Sequence, residues 1–465
     1  ANEMGHFVKS LCMMLVLGLF LASPAFAHAA DQGFVLLLPT TAYIAAGTMV
    51  VVLTILLLVL LKPGQLDGIM CPVTWRFGVK LNLHTYQTVT QLGVALSLAL
   101  LLLIGLRGPT DPQANLMPLV LWTVWWMFLF VVQALIFDVW SWINPWPALH
   151  RFFVPANAKV MDLPASVSVW PAVLVMALFQ GFVLADAAPN DPGRLSLFAL
   201  GYWLFTWAGM TVFGRGPWLQ QAECFTVLFR LIGAMRPVQG RQFGLPGWQV
   251  FAADYDLSHA AFVLIILAAG SFDGLYETFW WLAQIGVNPL EYPGRTALIW
   301  STTVGLYGGI LCLTGVFAAA IFLGTRLVRA DVDFRTAFVR FSITLLPIAI
   351  GYHFAHYFVT LLVQIQVVLA TLSDPLAQGW NLFGLGGRRV MVGFLTVPAT
   401  VKLIWGTQAG IVVVSHVLAV ILSHRTAETF TASRRDVFLL QSGLSILMIF
   451  YTIFGLWLLA SARGA

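Results

Sequence analysis

Ten apolar stretches, separated by short polar loops, follow one another along the chain after residue 38. Nearly all are long enough for the core of a bilayer, which takes about 20 apolar residues as a helix. Their approximate bounds are 39–61, 88–106, 117–137, 168–185, 195–213, 258–272, 297–323, 341–371, 403–423 and 437–460. The pattern predicts an all-α, polytopic membrane protein with about ten transmembrane helices.

The first 27 residues have the order of parts found in a secretory signal peptide. A short region with Lys9 precedes an apolar core at 11–22, and residues 25–27 form an A-x-A cleavage site. That core is too short to span a bilayer. We therefore predict a signal peptide at 1–27 and a single transmembrane domain at 28–465. A free α-amine beside the His28 imidazole would suit copper, so His28 is a candidate metal ligand.

Composition agrees with a membrane protein and excludes several other classes. Of 465 residues, 60% are hydrophobic and only 9% are charged, whereas soluble domains carry about 25% charged residues. No basic tract suited to a phosphate backbone is present, so we predict no nucleic-acid partner. The four cysteines are scattered and imply neither a disulfide framework nor a zinc knuckle.

Charge distribution sets the predicted topology. The chain has 24 lysines and arginines. If the mature amino terminus is outside and ten spans follow, seven lie in outer loops, Lys9 lies in the leader, and the remaining 16 lie in inner loops. The outer seven are Arg107, Arg194, Arg295, Arg388, Arg389, Lys402 and Arg463. This is the positive-inside pattern, and it predicts that both termini lie outside.

Two inner regions are predicted to lie at the membrane interface. Tryptophans cluster in and after the third stretch, and indole rings favour that level of the bilayer. They are Trp122, Trp125, Trp126, Trp140, Trp142 and Trp146. The longest inner loop, 214–257, has apolar residues at helical spacing, which predicts an amphipathic interfacial helix with Glu223 as a solvated loop acid.

Two histidines stand within the eighth stretch, the most distinctive part of the chain. His353 and His356 are the only ionisable residues of the acid or base type between 341 and 371. Three residues apart on a helix, they share one face and lie near the middle of the membrane. An intramembrane ionisable pair is by default a site hypothesis. The alternative is that both rings are bonded to hydroxyls or waters inside the bundle.

Further polar residues can be placed near this pair. His416 in the ninth stretch falls at a depth similar to that of His353. Glycine-interrupted segments at 270–278 and 373–384 suggest broken or re-entrant outer segments around a site. These segments carry Asp273, Glu277 and Asp374, which we predict to cover one outer cavity.

Three imidazoles with an open fourth position suit a catalytic divalent metal. Zinc is the usual ion in such a set, and copper fits the ligand type equally well. The predicted ligands are His353, His356 and His416, with His28 as a separate candidate. The sequence shows no nucleotide-binding fingerprint.

Four separated motifs resemble one family. They are WINPWPALHRFF, SFDGLYETFWW, PIAIGYHFAHYFVTLLVQIQ with LSDPLAQGWNLFG, and GIVVVSHVLAVILSH. From about residue 120 onward the chain resembles the bacterial integral membrane proteins called fenitrothion hydrolases. The resemblance implies the bacterial inner membrane as location and an organophosphorus triester, an apolar small molecule, as substrate. It supplies no assigned catalytic set.

The residues give that chemistry a possible mechanism. A metal held by imidazoles lowers the pKa of its bound water to roughly 7 and so supplies hydroxide. The substrate would enter from the lipid bilayer into a cavity lined by Tyr352, Phe354 and Tyr357. Asp374, Glu277 or Asp273 would then orient a ligating ring or act as the general base.

Two rival functions remain open at this stage. A carrier or channel for a metal ion or small solute fits ten spans, broken helices and buried histidines that relay protons or bind transiently. A membrane accessory subunit of a copper or respiratory enzyme, with His28 delivering the ion, is the third possibility.

Overall fold

Ten helices in the structure are long and apolar enough to cross a membrane. The structure is a computed structural model that describes residues 38–62, 64–74, 83–155, 158–291, 293–329, 331–385 and 390–462. The predicted all-α polytopic fold is confirmed. The predicted signal peptide, 1–27, and His28 lie outside the described residues.

The spanning helices are numbered as spans 1 to 10 in chain order. They are span 1 Thr40–Leu60, span 2 Leu83–Arg107, span 3 Leu116–Leu135, span 4 Ala165–Ala185, span 5 Pro192–Phe213, span 6 Leu257–Leu275, span 7 Arg295–Leu327, span 8 Phe334–Leu372, span 9 Pro398–Glu428 and span 10 Arg434–Ala460. Each predicted apolar stretch therefore corresponds to one span.

Three spans are composite. Span 3 consists of Leu116–Pro118, a π-helix at Leu119–Leu129, and Phe130–Leu135, and span 4 consists of a 3₁₀ turn at Ala165–Val167 and Trp170–Ala185. Span 8 consists of Phe334–Ile343 and Leu346–Leu372, joined by a two-residue turn. Pro347 stands in the first turn of its second half, where a missing N–H is tolerated.

The connections form two ends of the bundle. Segments 108–115, 186–191, 276–291 with 293–294, and 373–385 with 390–397 lie between spans at one end. We call it the outer end because the charge pattern predicts it to face outward. The inner end carries a small sheet of β1 Val73–Thr74, β2 Val238–Gln239 and β3 Gln242–Phe243. The strands are antiparallel in the order β1-β3-β2, with Phe243 opposite both Val73 and Val238.

Short helices complete the connections. They are Asp67–Met70, Trp140–Ile143, Trp146–Phe153, Arg215–Pro217, the π turn Trp218–Ala222, Cys224–Gly233, the 3₁₀ turn Trp248–Phe251, Phe279–Gln284 and the 3₁₀ turn Gly393–Thr396.

Spans 7 and 10 approach each other at two glycines. A Cβ on Gly324 would lie 2.1 Å from the carbonyl oxygen of Leu440, and a Cβ on Gly443 would lie 2.4 Å from that of Ala320. Small residues let membrane helices pack backbone against backbone. The absence of a side chain at both positions is therefore a requirement of this contact.

The helix at Cys224–Gly233 is buried, so the interfacial prediction was wrong. Phe225, Leu228 and Ile232 are at most 6% exposed, and Phe229, on the face expected to be polar, is fully buried. The helix packs between span 3 and span 4. The apolar spacing was read correctly, but apart from the exposed Arg230 hydrophobic residues occupy most of the other face as well, so the helix is packed into the core.

Glu223 begins this helix as a buried cap and is not a solvated acid. Its side chain is 1% exposed and accepts the N–H groups of Phe225 at 3.0 Å and Thr226 at 2.7 Å. The hydroxyls of Tyr202 and Thr226 also donate to it. Burial raises the pKa of Glu223 from its ordinary 4.5, and the four hydrogen bonds oppose that rise.

We expect Glu223→Gln to lower the Tm by removing a helix cap worth about 1–2 kcal/mol. The amide would present an N–H donor to groups that are themselves donors. Because the folded-state pKa is raised, the wild-type carboxyl stabilises the fold at acid pH and loses that contribution as pH rises through its folded pKa. The variant should therefore show a flatter dependence of Tm on pH. Unfolding scans in detergent check this, and an unchanged Tm would show that the cap contributes nothing.

Candidate functional site

A cavity of about 370 Å³ opens at the outer end between spans 3, 4, 6 and 8. We call it the vestibule. Aromatic and polar side chains share its wall, among them Trp122, Trp126, Tyr276, Glu277, Arg295 and Tyr357. Binding sites for small molecules typically combine an apolar wall with a few convergent polar groups. The vestibule has this character.

The floor of the vestibule holds an imidazole and a carboxylate in direct contact. His356 Nε2 lies 3.1 Å from Asp273 Oδ2, and the Tyr357 hydroxyl donates to the same oxygen at 2.6 Å. The side chains of His356 and Asp273 are only 16% and 14% exposed. They are therefore mostly desolvated and still reachable from the cavity.

The partner chemistry assigns the tautomer of His356. A carboxylate oxygen can only accept, so Nε2 carries the proton that it donates to Asp273. In the neutral ring Nδ1 then keeps its lone pair. An imidazole oriented by a carboxylate in this way can accept a second proton or hold a ligand through Nδ1.

Asp273 reaches this position because span 6 continues through the glycine-rich segment. The helix runs through Gly270 and ends at Leu275, so the interruption occupies only 276–278 of the predicted segment 270–278, before the short helix Phe279–Gln284 that Thr278 caps. Asp273 consequently lies in the last turn of a regular helix, opposite span 8. His356 lies 16 residues before the outer end of the longer span 8, or about 24 Å at 1.5 Å per residue. The floor of the vestibule therefore lies near the outer end of span 6 but well below the outer end of span 8.

Glu277 lies at the wall, as predicted, and is bonded to a tyrosine. The Tyr276 hydroxyl donates to Glu277 Oε1 at 2.5 Å. Burial raises the pKa of Tyr276, and the charges of Glu277 and Asp273 raise it further, so the phenol stays protonated. Sequence reasoning missed Tyr276 because its contact with Glu277 depends on the turn after span 6.

A smaller cavity of about 30 Å³ continues below the floor. It shares Asp273, His356 and Tyr357 with the vestibule and adds Gln180 and His353. The volume matches roughly one water molecule, and polar groups line it. Polar groups therefore extend from the outer end to the level of His353.

His353 is held by the backbone of span 3. Its Nε2 lies 2.8 Å from the carbonyl oxygen of Trp126, which can only accept, so Nε2 donates. The ring stacks on Phe130 at a centroid distance of 3.9 Å and meets the edge of Trp126 at 5.1 Å. Trp126 belongs to the π-helix, a conformation often found at functional sites. Its role was missed because the tryptophans were interpreted only as interface anchors.

His416 lies apart from the histidine pair. It is fully buried, its Nδ1 donates to the carbonyl of Val412 at 2.8 Å, and its ring neighbours are Tyr352 and Tyr451. No partner for its Nε2 is found in the part of the chain that the structure describes. The predicted depth was compatible with a shared site, but the ring lies between Tyr352 of span 8 and Tyr451 of span 10 and is not among the described residues that line the vestibule.

Asp374 stabilises a loop at the outer end. Its carboxylate accepts the N–H groups of Gln378 at 2.8 Å and Gly379 at 2.7 Å, closing a turn in which Ala377 and Gly379 have positive φ. It is not among the described residues that line the vestibule. The structure thus brings together Asp273, Glu277, His353 and His356 and leaves out Asp374 and His416.

The donor geometry does not advance the metal prediction. Within the described ranges, no group of three or more histidine, cysteine, aspartate or glutamate side chains is placed to hold a metal ion. His353 uses Nε2 on a backbone carbonyl and His356 uses Nε2 on Asp273. The zinc or copper site stays a prediction.

A third cavity, of about 810 Å³, opens at the inner end, and we call it the inner cavity. Three arginines and three aspartates are among its lining residues, namely Arg335, Arg340, Arg425, Asp67, Asp254 and Asp256. Beside it, His424 Nδ1 accepts from Gln441 Nε2 at 2.9 Å and its Nε2 lies 3.9 Å from Glu428. Titratable groups therefore lie next to the cavities at both ends.

Comparison of the chain with protein-family models, with curated proteins and with solved structures finds no match. The resemblance to fenitrothion hydrolases stays a prediction.

Proposed function

We propose that this protein is a membrane carrier that exchanges a small cation for protons. The observation that carries the proposal is the contact between Asp273 and His356 at the floor of the outer vestibule. Ionisable residues inside a membrane bundle are costly and mark ion or proton pathways. A titratable pair that both faces a cavity and is mostly desolvated fits that role.

The vestibule favours a cation over an anion. Asp273 and Glu277 contribute two carboxylates, while Trp122, Trp126 and Tyr357 contribute aromatic rings to the wall. Carboxylates and aromatic faces both attract cations.

Arg295, the one lysine or arginine among the described lining residues, is already engaged. Its guanidinium donates to the carbonyls of Val183, Leu184 and Asp186 at 2.8 to 3.0 Å and to the Tyr276 hydroxyl at 3.3 Å. It therefore closes the outer end of span 4 and is poorly placed to receive an anion.

Proton exchange follows from the sharing of one carboxylate. Asp273 Oδ2 accepts from His356 and Tyr357 when it is ionised. A cation binding to Asp273 would displace one of these donors, whereas a proton taken up by the pair would neutralise the carboxylate and release the cation. Competition between proton and cation for one group is the basis of exchange.

Buried polar contacts lie between the vestibule at the outer end and the large cavity at the inner end. The Tyr352 hydroxyl donates to the carbonyl of Tyr451 at 3.1 Å, and the hydroxyls of Tyr451 and Ser271 are bonded to each other. On the inner side of this layer, His424, Gln441 and Glu428 lead to the inner cavity. A carrier needs such a closed layer between two accessible faces.

Hydrolysis of an organophosphorus triester is the second candidate. The observation in its favour is that His356, oriented by Asp273, could act as a general base beside an aromatic wall that would accommodate a nitrophenyl group. Phosphoryl chemistry also needs positive charge at the developing oxyanion. Arg295 is the one lysine or arginine among the described lining residues, and its hydrogen bonds to span 4 hold it there. The described wall therefore suits a cation better than a developing oxyanion.

Transport and hydrolysis can be separated in one preparation. Full-length protein is reconstituted into vesicles that hold a pH-sensitive dye and an imposed proton gradient, and Zn²⁺, Cu²⁺ or choline is added outside. We expect at least one of these cations to dissipate the gradient faster than in protein-free vesicles. Release of nitrophenol from paraoxon is followed in parallel. Nitrophenol release without cation-dependent proton movement would overturn the carrier in favour of the hydrolase.

A further inference from the structure

Two arginines lie at the inner end around the helix Trp146–Phe153: Arg151 belongs to the helix, and Arg215 contacts His150 within it and Val154 directly after it. Arg151 donates to the Thr88 hydroxyl at 3.2 Å, and Arg215 donates to the carbonyl of Val154 at 3.1 Å. Burial lowers the pKa of Arg215, and the nearby charge of Arg151 lowers it further. Arg215 thus contacts the same end of the helix that carries Arg151, and the two positive charges form one cluster.

A neutral histidine fixes the orientation of Arg215. His150 is 1% exposed, and its Nδ1 lies 3.3 Å from Nη2 of Arg215, which can only donate. Nε2 of His150 therefore carries the proton and donates to the Thr211 hydroxyl at 3.2 Å. Burial and the charge of Arg215 both lower the pKa of His150. Arg215 is therefore positioned by a buried histidine, and both arginines are themselves partly buried.

No acid balances this charge in the described part of the chain. Neither Arg151 nor Arg215 has a carboxylate within 4.0 Å among the described ion pairs, while the neighbouring Lys159 is paired with Asp162. Two partly buried positive charges without a counterion are unfavourable. An anion from outside the chain would relieve that cost.

Exposed apolar side chains flank the arginines. Phe152 and Phe153 are 65% and 73% exposed, and Val160 and Met161 are 73% and 53% exposed. The N–H groups of Val160 and Met161 bond to the carbonyl of Val212 at the inner end of span 5, which places them beside Arg215. An apolar rim around a basic cluster at the end of a membrane span is suited to acyl chains below a headgroup.

We propose that Arg151 and Arg215 bind the headgroup phosphate of an anionic phospholipid, whose acyl chains lie against Phe152, Phe153 and Met161. Guanidinium groups recognise phosphate oxygens through paired N–H donors. The exposed apolar rim favours a lipid over a soluble phosphate, because a soluble phosphate has no acyl chains to pack against it. The site is independent of the proposed transport function.

Thermal unfolding and native mass spectrometry test the site. The full chain in detergent is titrated with phosphatidylglycerol or with phosphatidylcholine of the same acyl chains. We expect phosphatidylglycerol to raise the Tm and to remain bound in the mass spectrum, with each arginine contributing roughly fivefold to the preference. The variant R151Q/R215Q should lose the preference for phosphatidylglycerol.

The matched control is R241Q/R329Q, which removes two exposed arginines elsewhere at the same end. R241Q/R329Q should keep the preference for phosphatidylglycerol. If both double variants lost it equally, the preference would come from overall positive charge at the inner end, and the proposed site would be overturned. Soluble glycerol phosphate at the same concentration should give no shift, and an equal shift would overturn the assignment to lipid. If R151Q/R215Q does not fold, R151Q alone keeps the Arg215 contacts and should lose about one arginine's share of the preference. An unchanged preference in R151Q would also overturn the site.

Discussion

Replacing Asp273 by asparagine should abolish cation-dependent proton movement while the protein remains folded. Asparagine keeps the size of the side chain and can still accept from Tyr357, but it removes the charge that His356 donates to. A hydrogen bond to a charged group is worth about 1.5–3 kcal/mol, which corresponds to roughly 10- to 100-fold in rate or affinity. The initial rate of dye response in vesicles measures the effect, and the Tm in detergent verifies the fold.

The controls for Asp273→Asn come from the two other predicted acids. Asp374→Asn changes a carboxylate that closes a loop and does not line the vestibule, so it should retain the wild-type transport rate. Glu277 lies on the wall of the vestibule. Glu277→Gln should therefore weaken the apparent affinity for the cation and have a smaller effect on the maximal transport rate. Equal rates for Asp273→Asn and wild type would remove the central support for the carrier.

The second large effect is expected at the contact between spans 7 and 10. Gly443→Ala would place a Cβ 2.4 Å from the carbonyl oxygen of Ala320, and Gly324→Ala would place one 2.1 Å from that of Leu440. In both cases the obstacle is backbone, which cannot move without separating the helices. Overpacking costs about 1–3 kcal/mol per site, which corresponds to a Tm lower by roughly 1–3 °C for a chain of 465 residues. Thermal unfolding in detergent measures it.

Span 7 offers its own control. A Cβ on Gly309 would have no neighbouring atom within 4 Å, so Gly309→Ala should leave the Tm unchanged or raise it slightly, since alanine favours the helix. If Gly309→Ala were as destabilising as Gly443→Ala, helix propensity or lipid contact would explain the loss, and the close backbone contact would not.

The ten spans were predictable because the length of an apolar stretch is a local property of the sequence. Their bounds moved by a few residues, mainly where Phe334–Ile343 extends span 8 at its start. Which side chains meet was much less predictable, because it depends on the rotation of each helix about its axis. Depth along the helix can be counted from the sequence, whereas rotation is fixed by packing against neighbouring spans.

The histidines illustrate this difference. His416 was predicted to join His353 and His356 because all three lie at similar depth, yet it contacts Tyr352 and Tyr451. Asp273 was predicted to lie in a broken segment, and its place in the last turn of span 6 is what brings it to His356. The sequence therefore identified the pair's members without identifying the pairing.

The paired glycines of spans 7 and 10 also limit how the protein can change shape. With no room for a Cβ at Gly324 or Gly443, sliding one helix along the other would bring side chains against backbone carbonyls at these two contacts. We therefore expect spans 7 and 10 to keep their relative position. A change between outward and inward opening, which the proposed carrier requires, would then take place in other spans.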